Sequence, residues 1–219
     1  TFQTWYVKIK LELSYLYCII IRIKNQYMKK ESVRLSKKVP FRRRNKRMGG
    51  NAKTTEFLKE CMADALIKIL KTKPIEKISV PEIVELASVG RTTFFRNFTT
   101  KNEVLTFKIV RLWERWAEEH DLDERKKFTL DNAVDFFNFN YSIRDLLELI
   151  YRRSLQSTVY DAFYEVMMPQ YGTNAFECYE SRFYSYALFG LLDEWIKRGF
   201  YESVEQMAEN VKKICGQNS

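Results

Sequence analysis

The chain has 219 residues, of which 46% are hydrophobic, and only 7 glycines and 4 prolines interrupt it. Few chain breakers among many long apolar and charged side chains favour helices over a turn-rich sheet protein. Residues 1–47 hold 14 Lys and Arg against 2 Asp and Glu, whereas residues 102–219 hold 14 against 20. A polyanion would therefore be drawn to the N-terminal part, and the acidic C-terminal part is a poor candidate for phosphate binding.

The cysteines and the single histidine do not form a metal-binding pattern. Cys18, Cys61, Cys178 and Cys215 lie far apart without a C-x-x-C pair, and His120 is the only histidine. We expect free thiols in a cytoplasmic protein, with no metal and no cofactor.

The N-terminal segment, residues 1–50, is basic, and its densely charged part, residues 29–47, is predicted to be solvated and disordered. Its uncharged run, residues 13–21, is too short to span a bilayer, so no membrane partner is expected. Two interpretations are open: a basic arm that contacts DNA phosphates, or an upstream extension of the coding sequence with Met28 or Met48 as the real start. We favour the second because the organised pattern begins only near Asn51.

From there the apolar residues recur at helical spacing, and capping residues or stop signals mark the helix ends. The predicted helices are 53–71, 79–87, 91–98, 100–120, 130–140, 142–153, 156–168, 174–198 and 203–215. Predicted capping boxes join Ser79 to Glu82, Thr100 to Glu103 and Ser142 to Asp145. No strand alternation persists. The predicted fold class is all-α with about nine helices.

Two of these helices are short and separated by about three residues, which is the local signature of a helix-turn-helix at residues 79–98. Apolar side chains on both helices would hold the second one rigidly; they are Ile83, Val84, Ala87, Val89, Phe94 and Phe98. The second helix would then present small polar and basic groups to a DNA groove, namely Arg91, Thr92, Thr93 and Asn97.

At these residues the resemblance to a known family is specific. The run ISVPEIVELASVGRTTFFRNFTTKNEVL, residues 78–105, is similar to the core of the TetR family's DNA-binding domain. With the first helix, the similarity covers about residues 52–105. It implies a three-helix DNA-binding domain at residues 51–105 and a larger helical ligand-binding and dimerisation domain at residues 106–219.

The residues that match the family pattern directly are Thr93, Phe94, Phe98, Lys101, Glu103 and Leu105. The resemblance implies that Thr93 and Lys101 contact phosphate. Phe95 stands where the family usually has Tyr, which removes a hydroxyl-to-phosphate hydrogen bond, and Asn97 stands where it usually has His. With Arg91 and Thr92, these residues complete the predicted DNA-binding set.

Two further departures concern the turn and the start of the second helix. Gly90 replaces the usual Ser at the N-cap, at a cost of a few tenths of a kcal/mol. Ser88 replaces the usual turn Gly. If that position requires a positive φ, the strain is on the order of 1 kcal/mol.

Residues 183–215 resemble the last two helices of one branch of the family, which implies a homodimer joined through a four-helix bundle. The predicted dimer contacts are Phe183, Tyr186, Phe189, Gly190 and Leu192. The family also usually encloses an inducer cavity in the middle helices. The aromatic residues predicted to line it are Trp113, Trp116, Phe137, Tyr141, Tyr151, Tyr160 and Phe163.

The sequence therefore predicts a DNA-binding transcriptional regulator, a ligand-responsive repressor that binds a palindromic double-stranded operator as a homodimer. The alternative is a TetR-fold coactivator that binds a partner protein and not DNA. Catalysis is not expected, because no nucleophile elbow, phosphate loop or paired-histidine motif occurs.

Overall fold

The computed structural model describes residues 50–122, 133–167 and 174–214, with side chains from Thr54 onward. These residues contain nine α-helices, one 3₁₀ turn (Ile75–Lys77) and no strand, which confirms the predicted all-α fold. The helices are α1 (Gly50–Leu70), α2 (Val80–Leu86), α3 (Arg91–Asn97), α4 (Lys101–Glu119), α5 (Ala133–Ser142), α6 (Arg144–Arg152), α7 (Ser157–Met167), α8 (Ala175–Lys197) and α9 (Val204–Ile214).

The predictions for residues 1–49, and those for Cys18 and Cys215, fall outside the described residues. Cys61 and Cys178, which the structure does describe, carry free thiols. No helix in the described part of the chain is long and apolar enough to cross a membrane.

Helices α1, α2 and α3 pack around one apolar core. Met62 and Leu66 of α1, Ile83 of α2 and Phe94 of α3 are buried there. Helix α2 begins after the N-cap Ser79, and both halves of its predicted capping box are present. The capping box therefore begins α2 at the position that also places Ile83 in the core.

The turn between α2 and α3 is a Schellman motif with serine in the glycine position. Val89 N–H donates to Val84 C=O (2.9 Å), and Ser88 N–H donates to Glu85 C=O (3.0 Å). Ser88 has φ +54°, which confirms that the turn needs the left-handed conformation normally taken by glycine. Gly90 follows as the N-cap of α3, without a side-chain cap hydrogen bond.

Ion pairs join α4 to α1. Lys108 Nζ lies 2.6 Å from the Asp64 carboxylate, and Arg115 pairs with Glu60. The hydrogen bond from Arg115 lowers the pKa of Glu60 below its ordinary value, against the opposing effect of burial. Helix α4 also packs against α7, so it connects the three-helix unit to the larger part of the chain.

In that larger part, α7 packs against both α4 and α8. Its core is aromatic: the rings of Trp113 and Phe139 meet edge to face at 5.1 Å between centroids. Trp195 of α8 is buried, and its indole N–H donates to the Glu202 carbonyl oxygen at 3.0 Å. Donation to the backbone satisfies the one polar group of that buried ring.

Two of the predicted capping boxes differ in the structure. Thr100 does cap α4, but the Glu103 carboxylate accepts from Thr99 N–H rather than from the N-cap. The predicted cap of α6 is wrong: Ser142 donates back to Phe139 C=O (2.6 Å), and the N-cap is Ile143. Serine can bond to the preceding turn as readily as it caps the next one, so local spacing did not decide between them.

Residues 48–204 form one compact unit, and the described residues 205–214 belong to another. Within α9, the buried side chains are Met207, Ala208 and Val211. Their spacing places them on one face of that helix.

Candidate nucleic-acid interface

Two buried aromatic side chains anchor α3. Phe94 and Phe98 are 1% and 4% exposed, and their ring centroids lie 5.9 Å apart. Phe98 also meets Phe107 of α4 at 5.7 Å, and the Lys59 ammonium of α1 lies 5.4 Å from the centroid of the Phe98 ring. Helix α3 is therefore held by contacts to both α1 and α4.

This anchoring determines which side chains of α3 face outward. With 3.6 residues per turn, Thr92 and Arg96 lie opposite the buried ring of Phe94, and both are exposed. Arg91 and Phe95 are also exposed and lie on one flank of the helix. The exposed surface of α3 thus combines two guanidinium groups, one hydroxyl and one apolar ring.

Thr93 and Asn97 lie on the other flank and are half-buried. The Asn97 side-chain amide donates to Thr93 C=O at 2.7 Å. Because an amide carries two N–H donors, one remains for an outside acceptor. The contact predicted for Asn97 is compatible with this geometry, and it remains a prediction.

Lys101 has a role within the fold that its sequence position did not indicate. Its ammonium group donates to the carbonyl oxygens of Ile75 (2.5 Å) and Ile78 (2.7 Å). These bonds tie the start of α4 to the segment that leads into α2. An ammonium has three donors, so one is left for the predicted phosphate contact.

An ion pair stabilises the start of α2. Lys73 donates to one oxygen of Glu82, and the other oxygen accepts from the Ser79 N–H at 2.8 Å. The hydrogen bond from Lys73, with those from Ser79, lowers the pKa of Glu82 to about 2. The capping carboxylate is therefore ionised over the whole neutral range.

The DNA-binding set predicted from the sequence does not include Arg96. The structure exposes it beside Thr92 on the outermost line of α3. The signal was present in the helical periodicity, since position 96 lies one turn from Thr92 and opposite Phe94.

A small apolar cavity lies between α4, α5, α7 and α8. Its volume is about 30 Å³, and its lining residues are Ile109, Val110, Trp113, Phe136, Phe139, Ala162, Phe163, Val166, Met167 and Leu188. Ligand pockets for drug-sized molecules measure roughly 300–1,000 Å³. The observed space holds a water-sized object at most, so a larger ligand would need these helices to separate.

Of the seven aromatic residues predicted to line a pocket, the structure brings Trp113 and Phe163 to this cavity. The other five make different contacts. Trp116 stacks on His120, and the rings of Phe137 and Tyr141 contact Trp195. The two remaining tyrosines make hydrogen bonds: the Tyr151 hydroxyl donates to Asp193 (2.9 Å), and the Tyr160 hydroxyl accepts from Arg182 (2.7 Å). The aliphatic residues of the lining were not predicted from the sequence. Val, Ile and Leu on a buried helix face show the same spacing whether they line a cavity or fill the core.

One face of α8 carries exposed aromatic side chains at alternating spacings of three and four. Phe176, Tyr179, Phe183 and Tyr186 are 72%, 76%, 47% and 58% exposed. Gly190 continues the series, and a Cβ built there would meet no atom within 4 Å. This is the spacing of a seam between two helices that cross at a shallow angle.

Two predicted dimer residues lie elsewhere. Leu192 is fully buried within its own chain, so its assignment to a dimer surface is wrong: the helix turns that side chain inward, two residues after Gly190. Phe189 is half-buried, and its ring meets Tyr160 of α7 edge to face at 5.9 Å.

Among curated proteins, no sequence matches the chain. Solved structures with some similarity include the dihydroxyacetone kinase operon activator DhaS (15% identity, TM-score 0.44, covering 73% of this chain and 95% of that one). A TetR transcriptional regulator from Rhodococcus sp. RHA1 has 15% identity and a TM-score of 0.44, covering 73% and 94%. The transcriptional regulator FadR from Bacillus subtilis, in complex with stearoyl-CoA, has 13% identity and a TM-score of 0.39, covering 73% and 99%.

The family model TetR_C_8, which describes a transcriptional regulator C-terminal region, matches residues 129–217. That region follows the helix-turn-helix formed by α2 and α3. This part of the chain is therefore similar to the C-terminal region of transcriptional regulators of the TetR type.

Proposed function

We propose that the protein is a cytoplasmic, ligand-responsive repressor that binds a palindromic DNA operator as a homodimer. The observation that carries this proposal is the arrangement of α3. Buried Phe94 and Phe98 hold the helix, and exposed Arg91, Thr92 and Arg96 remain on its outer surface. A rigid helix with short polar and basic side chains outward is what major-groove binding requires.

The residues proposed to contact DNA are Arg91, Thr92, Thr93, Phe95, Asn97 and Lys101, to which we add Arg96 from its exposure. Thr93, Asn97 and Lys101 would contact phosphates and set the register, whereas Arg91 and Arg96 can reach base edges. The domain assignment follows from this proposal: DNA binding in residues 51–105, and ligand binding and dimerisation in residues 106–219.

The exposed face of α8 supports a homodimer. Tyr179 and Tyr186 are more than half exposed, although the Tyr186 ring also stacks on Tyr160 of α7 with centroids 4.2 Å apart, and Gly190 leaves open space on the same face. A mid-helix glycine costs about 1 kcal/mol relative to alanine, and close approach of a second helix is a reason to retain it. A twofold dimer would also place two copies of α3 on the two halves of a palindrome.

The cavity at Trp113 and Phe163 is the proposed ligand site. Its small volume describes a closed state. A ligand that binds better when α4 and α7 separate would shift the population toward an open state. Because α4 is joined to α1 by the Lys108–Asp64 and Arg115–Glu60 pairs, such a shift would move the DNA-binding unit.

Fluorescence anisotropy with labelled duplexes from the region upstream of the protein's own gene tests DNA binding. We expect an affinity that falls steeply between 50 and 200 mM salt, roughly by a factor of 10³ or more if six phosphates are contacted. Arg91→Ala and Arg96→Ala should each weaken binding. Arg144→Ala removes an exposed arginine of α6, outside the proposed interface, and should leave binding unchanged.

Absence of binding at low salt by a folded protein would contradict the proposal. Capture of a stable protein partner under the same conditions would then favour the coactivator function. A footprint that covers two half-sites about one helical turn apart would support the dimeric arrangement.

A further inference from the structure

A large apolar ring occupies the exposed surface of α3. The Phe95 side chain is 56% exposed, and its neighbours on the outer surface are the polar Thr92 and Arg96. Its ring meets the buried ring of Phe94 edge to face, with centroids 5.5 Å apart and planes at 78°. Phe95 therefore packs against a buried core ring although most of its own surface faces solvent.

Arg91 lies one helical turn before Phe95 on the same flank. Its guanidinium carbon is 5.6 Å from the centroid of the Phe95 ring, within the distance at which a cation interacts with an aromatic face. The planar guanidinium group and the ring therefore form one exposed unit with an apolar part and a hydrogen-bonding part. Holding the arginine against a ring also reduces the rotamer entropy that it would lose on binding.

We propose that Phe95 and Arg91 act together as a base-reading pair that selects a thymine next to a guanine in each half-site. This inference rests on the proposed DNA-binding function and assigns a sequence preference to it. Phe95 has no hydroxyl, so it cannot donate to a phosphate. In the major groove, the apolar group available to a phenyl ring is the C5-methyl of thymine. The arginine fork matches O6 and N7 of guanine.

A matched pair of DNA bases tests the apolar half of this assignment. A duplex is first selected from a random DNA pool by the full-length wild-type protein, and each thymine of the selected site is then replaced by deoxyuridine, which lacks only the C5-methyl. At one position per half-site we expect wild-type affinity to fall about fourfold per methyl removed. Phe95→Ala should bind the thymine and deoxyuridine duplexes equally.

The polar half is tested in the same way with 7-deazaguanine, which lacks the N7 acceptor. The wild-type protein should lose affinity at the guanine beside the sensitive thymine, and Arg91→Ala should show no difference between guanine and 7-deazaguanine. Phe57→Ala is the matched control, because Phe57 of α1 is also an exposed ring (67%). It should retain both the thymine and the guanine preferences.

The outcomes separate this inference from the proposed function. If the wild-type protein selects a site but binds the thymine and deoxyuridine duplexes equally at every position, the proposal that Phe95 and Arg91 read bases is wrong. The proposal that the protein binds DNA is then unaffected. If Phe95→Ala, with a helical circular dichroism spectrum like that of the wild type, still distinguishes the two bases, the ring does not read the methyl. If no duplex is selected at low salt, the proposed function itself fails.

Discussion

The guanidinium group of Arg153 donates to the backbone carbonyl oxygens of Leu70 (2.7 Å) and Lys71 (3.1 Å). Arg153 is the C-cap of α6, and Leu70 ends α1, so a side chain from the larger part of the protein donates to the carbonyl groups at the end of α1. A cation at this end of a helix also opposes the negative end of its dipole. Helix α6 is tied in turn to α8 through Tyr151 and Asp193.

Replacing Arg153 should loosen this connection. Arg153→Ala leaves two helix-end carbonyls without their donor, and we expect a loss of about 1–2 kcal/mol in the free energy of unfolding. Thermal unfolding measures this loss. Arg152→Ala is the matched control, because Arg152 is exposed and pairs with Glu148 on its own helix, an interaction worth about 0.3–0.5 kcal/mol.

Arg153→Ala should also weaken DNA binding without changing the slope of log K against log salt, because Arg153 positions α1 and contacts no phosphate in the proposed complex. A slope reduced by about one would show instead that Arg153 is itself a phosphate contact.

Glycine at position 88 should stabilise the protein. Ser88 has φ +54°, and glycine relieves the strain, which is on the order of 1 kcal/mol. A gain of that size corresponds to an increase in Tm of roughly 2–4 °C for a chain of this length. Ser88→Gly should leave the DNA affinity intact, since the backbone of the turn does not change.

Ser154, which lies outside the helix-turn-helix, allows an independent test of the same serine-to-glycine substitution. It has φ +57° and follows the C-cap of α6, so Ser154→Gly should also raise the Tm. Asn138→Gly, at an exposed position inside α5, should lower it, because glycine there adds only backbone entropy to the unfolded state. An equal decrease for all three variants would contradict the strain argument.

The capping carboxylate of α2 should make stability depend on pH in the acid range. The pKa of Glu82 is lowered from 4.5 to about 2 in the folded protein. A lowered folded-state pKa contributes stability above the unfolded-state value, and that contribution is lost as the pH falls from about 4.5 toward 2. Glu82→Gln can still accept capping hydrogen bonds but cannot titrate.

Urea unfolding of the wild type and Glu82→Gln at pH 7, 4 and 3 measures this contribution. The wild type should be the more stable at pH 7, and the difference should shrink toward pH 3. A difference that stays constant across this range would show that Glu82 acts only through uncharged hydrogen bonds.

The aromatic face of α8 should control the oligomeric state. Tyr179 lies in the middle of the exposed series and is 76% exposed in the single chain. Tyr179→Glu would place a charge in a dimer seam and should weaken dimerisation by about tenfold or more. Tyr201→Glu is the matched control, since Tyr201 is 82% exposed outside this face. Sedimentation equilibrium measures the dimer dissociation constant. Equal effects of the two variants on this constant would contradict a dimer interface on this face of α8.

The sequence by itself determined the helices and the helix-turn-helix. The capping box between Ser79 and Glu82, the turn around Ser88 and the inward spacing of Phe94 and Phe98 all depend on residues within about one helical turn of one another. Features that depend on residues so close together can be predicted from one sequence, because the hydrogen bonds of a cap and the face of a helix follow directly from residue spacing.

Only the tertiary structure decided which partners meet across the chain. Arg153 and Leu70 are 83 residues apart, Lys101 bonds to carbonyl groups more than 20 residues earlier, and Leu192 turned out to be core rather than surface. Many buried aromatic and aliphatic residues satisfy the same apolar requirement, so composition does not distinguish a cavity wall from ordinary core. The packing of α4, α7 and α8 makes that distinction, because it determines where two helices leave space and where they do not.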